Sequence, residues 1–112
     1  MCAQPDPPLQ PPVAVLNAAG ELLRVISAPV RIAIVLQLNG SPRCVHELVD
    51  ALHTPQSLVS QHLRILKAAR VVARERVGRE VKYRLVDDHL ARIVLAAVVH
   101  AAEDPATRYE PT

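Results

Sequence analysis

The chain has 112 residues and a formal net charge of +2, with half of its residues hydrophobic and 21% charged. That length allows one domain, small enough for a second copy to help complete its core, and that balance excludes a disordered chain. Without Phe or Trp and with two Tyr the core must be aliphatic, the two cysteines Cys2 and Cys44 make no disulfide framework, and no apolar run approaches a membrane span.

The elements follow in chain order. Residues 1–12, MCAQPDPPLQPP, hold five of the ten prolines and read as a flexible or polyproline-like arm without a signal-peptide stretch, which points to a cytoplasmic protein. Residues 13–27 carry apolar side chains at helical spacing and predict a first helix. In SAPVRIAIVLQLNG, Pro29 suits the first turn of a second helix and Gly40 the position just past its end. SPRCVHELVDAL (41–52) predicts a short third helix opened by a Ser-Pro turn. HTPQSLVSQHLRILKAA (53–69) predicts a fourth, with Thr54 as N-cap and Pro55 at the first helical position. Its Leu58, Val59, Leu63 and Leu66 form one face to be buried, and Gln56, Ser57, Ser60, Gln61 and Arg64 lie opposite. The period then changes. VVARERVGREVKYRLV (71–86) alternates apolar and basic residues, predicting a hairpin with Gly78 in its turn. DDHLARIVLAAVVHAAED (87–104) predicts a closing helix, and 105–112 a flexible polar tail. The working domain is 13–104.

This order predicts a mainly α protein with one β-hairpin, a winged helix-turn-helix whose third and fourth helices are joined only by His53-Thr54. The fourth helix would enter the major groove of DNA, with Gln56 and Gln61 suited to adenine edges, Ser57 and Ser60 to bases or phosphates, and Arg64 to phosphate. Alone, these polar residues would better suit an ordinary solvent-facing helix. Beside them, however, lies a basic block. From Arg64 to Arg84 there are eight basic and two acidic residues, a local charge of +6 that leaves −4 for the rest of the chain. Such asymmetry is the footprint of a nucleic-acid face, with Arg74, Arg76, Arg79 and Lys82 of the hairpin placed to meet the DNA backbone or minor groove.

The closing helix carries an acid and a histidine at each end: Asp87 and His89, then His100 and Glu103. His89 and His100 point the same way but lie about 16 Å apart along the axis. Donors on one zinc ion lie only about 3–3.5 Å from one another, so one helix cannot close both pairs on one ion. Two copies packed antiparallel across a two-fold axis can, giving two identical sites of two imidazoles and two carboxylates. The stripe His89, Ile93, Ala96, His100, Glu103 has the 4-3-4-3 spacing of a coiled-coil seam. Four such ligands suit tetrahedral Zn²⁺, with Co²⁺ a substitute in vitro. The competing reading is an acidic helix start complementing the dipole, with two unrelated histidines.

CVHELVDALHTPQSLVSQHLRILKAARVV, GREVKYRL and DDHLARIVLAAVVHAAED together resemble the ArsR/SmtB metal-sensing repressors, and within them the SmtB-type zinc-responsive branch. The resemblance covers about residues 16–104. Its most specific part is the last-helix signature Asp-x-His-(x10)-His-x-x-Glu/His, met by Asp87, His89, His100 and Glu103. It implies a homodimer joined through its first and last helices. It also implies that the apo form occupies an operator of two-fold symmetry and that zinc releases it, so that zinc-handling genes are expressed. It further implies a relay, in which metal-bound His100 uses its other ring nitrogen to reach a backbone carbonyl near Arg70. Where family members with a second site show Cys-Val-Cys-Asp, this chain has Cys44-Val45-His46-Glu47. With Cys2, the residues Cys44, His46 and Glu47 could form a second zinc site; a buried, idle Cys44 is the alternative. No histidine precedes His46, which argues against the extra N-terminal ligands of nickel or cobalt sensors. Arg70 stands where glycine commonly ends the recognition helix. A left-handed backbone suits Arg less well, so this helix is expected to end differently.

Other functions fit less. A zinc hydrolase needs an open coordination position, which four protein ligands do not leave, and no nucleophile–His–acid constellation stands out. No enzyme activity and no small organic substrate are expected. The alternatives kept are a thiol-responsive repressor of the same fold using Cys2 and Cys44, and a sensor of another metal such as Co, Ni or Cd.

Overall fold

The computed structural model describes residues 10–108. α1 (Val13–Val25) starts on Pro12, whose carbonyl accepts from the N–H groups of Val15 and Leu16 at 2.9 and 3.1 Å. It buries none of its residues, and Val13, Val15, Leu16 and Leu23 are all more than half exposed. Leu22 and Val25 pack half-buried against the core, while the exposed apolar remainder of α1 has no partner among the described residues of its own chain.

α2 (Pro29–Leu38) has Pro29 at its first position and buries Ile34, Val35 and Leu38. Gly40 follows with φ +89, the left-handed conformation for which glycine is needed after a helix. α3 (Val45–Leu52) starts later than the sequence suggested. The Ser-Pro turn lies outside it, and Cys44 caps it in a reciprocal box with Glu47, whose Oε1 accepts from the Cys44 N–H at 2.9 Å. It ends on His53, itself left-handed at φ 51, which makes the sharp turn into α4.

α4 (Gln56–Ala68) is capped by Pro55 and not by Thr54. Thr54 instead donates its hydroxyl to the Leu52 carbonyl at 3.0 Å, which stiffens the turn and leaves the helix start without a side-chain cap. Val59, Leu63 and Leu66 are buried as expected, but Leu58 is 39% exposed; it sits about 100° round the helix from Val59, off the buried stripe.

The end of α4 corrects the expectation for Arg70. That residue does take the left-handed conformation, at φ 62. The Val71 N–H reaches the Leu66 carbonyl at 2.9 Å and the Arg70 N–H the Lys67 carbonyl at 3.0 Å, the paired bonds of a Schellman end. Val71 and Leu66 are both fully buried. Their apolar contact and these two bonds outweigh a left-handed cost of about 1–2 kcal/mol.

β1 (Val72–Val77) and β2 (Glu80–Leu85) form an antiparallel hairpin, Val72 opposite Leu85 and Val77 opposite Glu80, turning on Gly78 at φ +65. Arg43 adds one bridge on the outer side of β2, exchanging both backbone bonds with Tyr83 at 3.0 and 2.8 Å. The start of α3 is thereby tied to the wing. α5 (Asp88–Glu103) returns across α2 and buries Leu90, Ala91 and Val94. Within the part of the tail that is described, Pro105–Arg108 form a helical turn, α6, and not loose chain; the Asp104 carboxylate accepts from the Ala106 N–H at 2.9 Å. The core is aliphatic throughout, centred on Ile34, Val35, Leu48, Leu63, Leu66 and Val71.

Arg70→Gly relieves the left-handed strain without touching the core. It should raise the unfolding free energy in urea, at fixed protein concentration, by about 1 kcal/mol; no gain would mean that the Arg70 side chain compensates for its own backbone.

Candidate DNA-binding face and metal centre

Burial of Val59, Leu63 and Leu66 turns the opposite side of α4 outward. Gln56, Ser57, Gln61 and Arg64 are exposed and Ser60 half-buried, so one face presents amide, hydroxyl and guanidinium groups together. No side chain caps α4, so the N–H groups of Gln56 and Ser57 have no side-chain acceptor at the helix start, where phosphate is commonly held. Reading the sequence missed these donors, because Thr54 looked like a cap.

The hairpin register divides the basic residues between two faces. Alternation places Arg74 and Arg76 with Val72, Val81, Tyr83 and Leu85, and places Lys82 with Glu75, Glu80 and Arg84 on the other side. On that second face the charges pair: Lys82 lies 3.8 Å from Glu80 and Arg84 3.5 Å from Glu75. Arg74 and Arg76 of the first face line a cleft of about 360 Å³ together with Val81, Lys67 from the end of α4 and, from the edge of the strand, Glu75. Arg79 sits in the exposed turn. Lys67 is a basic residue that the sequence placed in the charged block without a role; only its proximity to the wing brings it to this cleft.

Two groups of metal-ligating side chains lie elsewhere. Cys44 is 6% exposed, and its Sγ donates to Glu47 Oε1 at 3.1 Å and lies 3.2 Å from His46 Nδ1. Burial first, and then the neighbouring Glu47, push the thiol pKa up; the Cys44 N–H and thiol hold the Glu47 carboxyl below its usual range. The structure thus brings Cys44, His46 and Glu47 together, but as a helix cap, with Glu47 already engaged. Cys2 lies outside the described residues. Among the described residues of one chain, no three His, Cys, Asp or Glu side chains are placed to hold a metal ion.

On α5, Asp87 is the non-helical N-cap, its Oδ1 accepting from the Leu90 N–H at 3.3 Å. This lets it share a side with His89 despite the i, i+2 spacing. His89 Nδ1 lies 3.3 Å from Asp87 Oδ1, with both side chains exposed. That separation suits two donors on one tetrahedral ion. His100 and Glu103 stand exposed near the other end of the same helix, on the stripe with Ile93 and Ala96. The Asp87–His89 pair and the His100–Glu103 pair thus lie at opposite ends of α5 and do not meet within one chain. Among the described residues His100 makes no side-chain hydrogen bond, and the Arg70 carbonyl accepts no backbone one.

Fold and exposed face define a winged helix-turn-helix DNA-binding protein. The family model described as "Bacterial regulatory protein, arsR family" matches residues 28–74. Over 100 residues the chain is 72% identical to the HTH-type transcriptional repressor SmtB of Mycobacterium tuberculosis, covering 89% of this chain and 74% of that protein. The crystal structure of the transcriptional repressor PagR of Bacillus anthracis is similar with a TM-score of 0.69 at 30% identity, over 76% of this chain and 98% of that one. The homodimeric winged helix-turn-helix domain Mb0332 of Mycobacterium bovis shares the fold over the whole of both chains, with a TM-score of 0.74 at 22% identity. The chain belongs to the ArsR/SmtB family of transcriptional regulators, and its relatives are DNA-binding regulators and not enzymes. Among the described residues no helix is long and apolar enough to cross a membrane.

The split of the wing makes a quantitative distinction. Arg74→Ala and Arg76→Ala should each weaken binding to all DNA duplexes and reduce the log–log salt slope by about 0.9. Lys82→Ala, whose charge Glu80 already offsets, should change the slope by less than half of that in the same salt titration. Equal effects would place Lys82 on phosphate.

Proposed function

We propose that the chain is a zinc-responsive transcriptional repressor. As a homodimer without metal it occupies an operator of two-fold symmetry, and zinc held between the last helices releases it, so that zinc-homeostasis genes are expressed. The observation that carries this is the Asp87–His89 pair at 3.3 Å, repeated in kind by His100 and Glu103 on the same exposed stripe of α5.

The exposed apolar residues of α1 and α5 favour the homodimer. Leu23 of α1 and Ile93 of α5 are both exposed at the rim of an apolar groove completed by Ile26, Ile32 and Ala97, and a second copy laid along these helices covers it. In the antiparallel pairing Asp87 and His89 of one protomer meet His100 and Glu103 of its partner, once at each end. Zinc bound there supplies a cross-link between the two last helices, and Co²⁺ can stand in for it in vitro.

The rest is done by the chain's own groups. With zinc bound, His100 would hold the ion through one ring nitrogen and could present the other N–H to a carbonyl at the end of the recognition helix, as metal-bound histidines commonly do. The Arg70 carbonyl suits that role: it accepts no backbone hydrogen bond among the described residues, and the Schellman end holds it in place. A bond made in one state and absent in the other is the differential contact that coupling needs, on the scale of about 1–3 kcal/mol. At Cys44, His46 and Glu47, with Cys2, a second zinc site would have to take Glu47 from its cap and a proton from a thiol that resists losing it. The same raised thiol pKa works against the redox alternative, since the thiolate is the reactive form.

The test is equilibrium binding to the DNA upstream of the protein's own gene, at fixed salt, with and without stoichiometric zinc. Zinc should weaken binding at least about tenfold, or about 1.4 kcal/mol; indifference to zinc would remove the regulatory role from α5. His100→Ala should keep dimerisation and apo DNA binding but lose the zinc response, and a protein that fails to fold would make His100 structural. Zinc affinity should fall towards acid pH as protons compete for the two imidazoles.

A further inference from the structure

Arg31 stands in the first turn of α2 and bonds to both neighbouring helices. Its Nε donates to the carbonyl of Val25, the last residue of α1. Its Nη1 lies 3.2 Å from Nδ1 of His62, in the middle of α4 between Gln61 and Leu63. A guanidinium can only donate, so Nδ1 must be the bare nitrogen of a neutral ring that carries its proton on Nε2. Both side chains are half-buried. Neither is needed by the metal site or the exposed reading face.

One cation thus joins three helices with different tasks. α1 carries exposed apolar surface for a second chain and buries none of its own residues. α4 carries the side chains that face DNA. A dimer reads two half-sites about one helical turn of DNA apart, so a small rotation of α4 against α1 moves the two reading faces relative to each other. We propose that Arg31 and His62 are positioning residues, a clasp that fixes the recognition helix against the dimer-forming helix and so sets which half-site spacing the dimer accepts. This rests on the chain acting as a homodimeric DNA-binding protein.

The ring is held in the form the clasp requires. Burial and then the Arg31 charge lower the His62 pKa. The charged and titratable groups on the elements packed against α4 are Arg31 on α2, His46, Glu47 and Asp50 on α3, and Arg74, Glu75 and Arg76 on β1. Of these, the Arg31 charge is the one that acts on the ring. The unfolded chain takes up this proton near the ordinary histidine value and the folded chain only at lower pH. The contribution to stability is therefore complete above the ordinary value and lost as the pH falls below it.

The test uses the full-length apo protein and a duplex selected by the wild-type dimer from a random pool, together with the same duplex carrying one or two extra base pairs between its half-sites. Wild type should prefer the selected spacing by about tenfold, the scale set by one hydrogen bond to a charged group. His62→Leu and Arg31→Met should stay dimeric and keep their affinity for random-sequence DNA, but lose most of that preference. His62→Gln, whose amide oxygen can accept from Arg31, should restore it. Acidification below the ordinary histidine range should erode the preference in wild type and leave His62→Gln unaffected. The proposal is overturned if His62→Leu keeps the wild-type spacing preference, or if His62→Gln fails to restore it. Loss of dimerisation and random-sequence binding in both His62 variants would make the pair merely structural. A wild-type protein that selects no duplex, or binds as a monomer, would instead defeat the reading on which the clasp rests.

Discussion

Val59, Leu63 and Leu66 are sealed from water against the aliphatic interior around Ile34, Val35 and Leu48, and the rotation of the recognition helix follows from that packing. Each of these side chains brings about 1.5–3 kcal/mol of burial, far more than any single surface charge supplies. With that stripe facing inward, Gln56, Ser57, Gln61 and Arg64 have to face outward. The same stripe runs through the Schellman end into Val71 and Val72, which are fully buried or nearly so, and thereby anchors the root of the wing. Reading helix and wing are positioned by one continuous apolar seam.

That seam is complete within one chain; the apolar surface of α1 and α5 is not. α5 buries Leu90, Ala91 and Val94 on one side and leaves Ile93, Leu95 and Val99 exposed on others. The chemistry divides in the same way. Asp87 and His89 at one end and His100 and Glu103 at the other cannot meet around one axis, because three helical turns separate them. In the proposed reading, coupling assembly to metal binding in this way would leave the site incomplete in the single chain and place its residues where a change in the dimer is felt.

Cys44 shows how local structure can claim a residue before a ligand does. In the chain it sits two residues from His46 and three from Glu47, a plausible run of donors. In the fold it begins α3, and the capping box holds the Glu47 carboxylate and protects the thiol. A cap contributes about 0.5–2 kcal/mol, which any second use of these groups must first displace.

Much of this was legible in the residues. The helix periods, Pro29 and Gly40 at the ends of α2, the alternation in the hairpin and the polar face of α4 come from short-range patterns, and short-range patterns are what a linear chain records directly. The placement of His89 and His100 on one side of the last helix was legible because helical geometry is regular enough to place residues eleven apart. The local details that failed involve competition between neighbours. Thr54 bonds back to Leu52, leaving Pro55 as the cap, and Arg70 turns left-handed because burial of Val71 outweighs its backbone preference. The sequence by itself determined the elements, the aliphatic core and which polar and charged residues share a helix face. Only the tertiary structure decided which charged groups stand together across elements: Lys67 beside Arg74 and Arg76, and Arg31 against His62. Those pairings depend on how helices and hairpin pack, and no local period encodes the distance between side chains thirty residues apart.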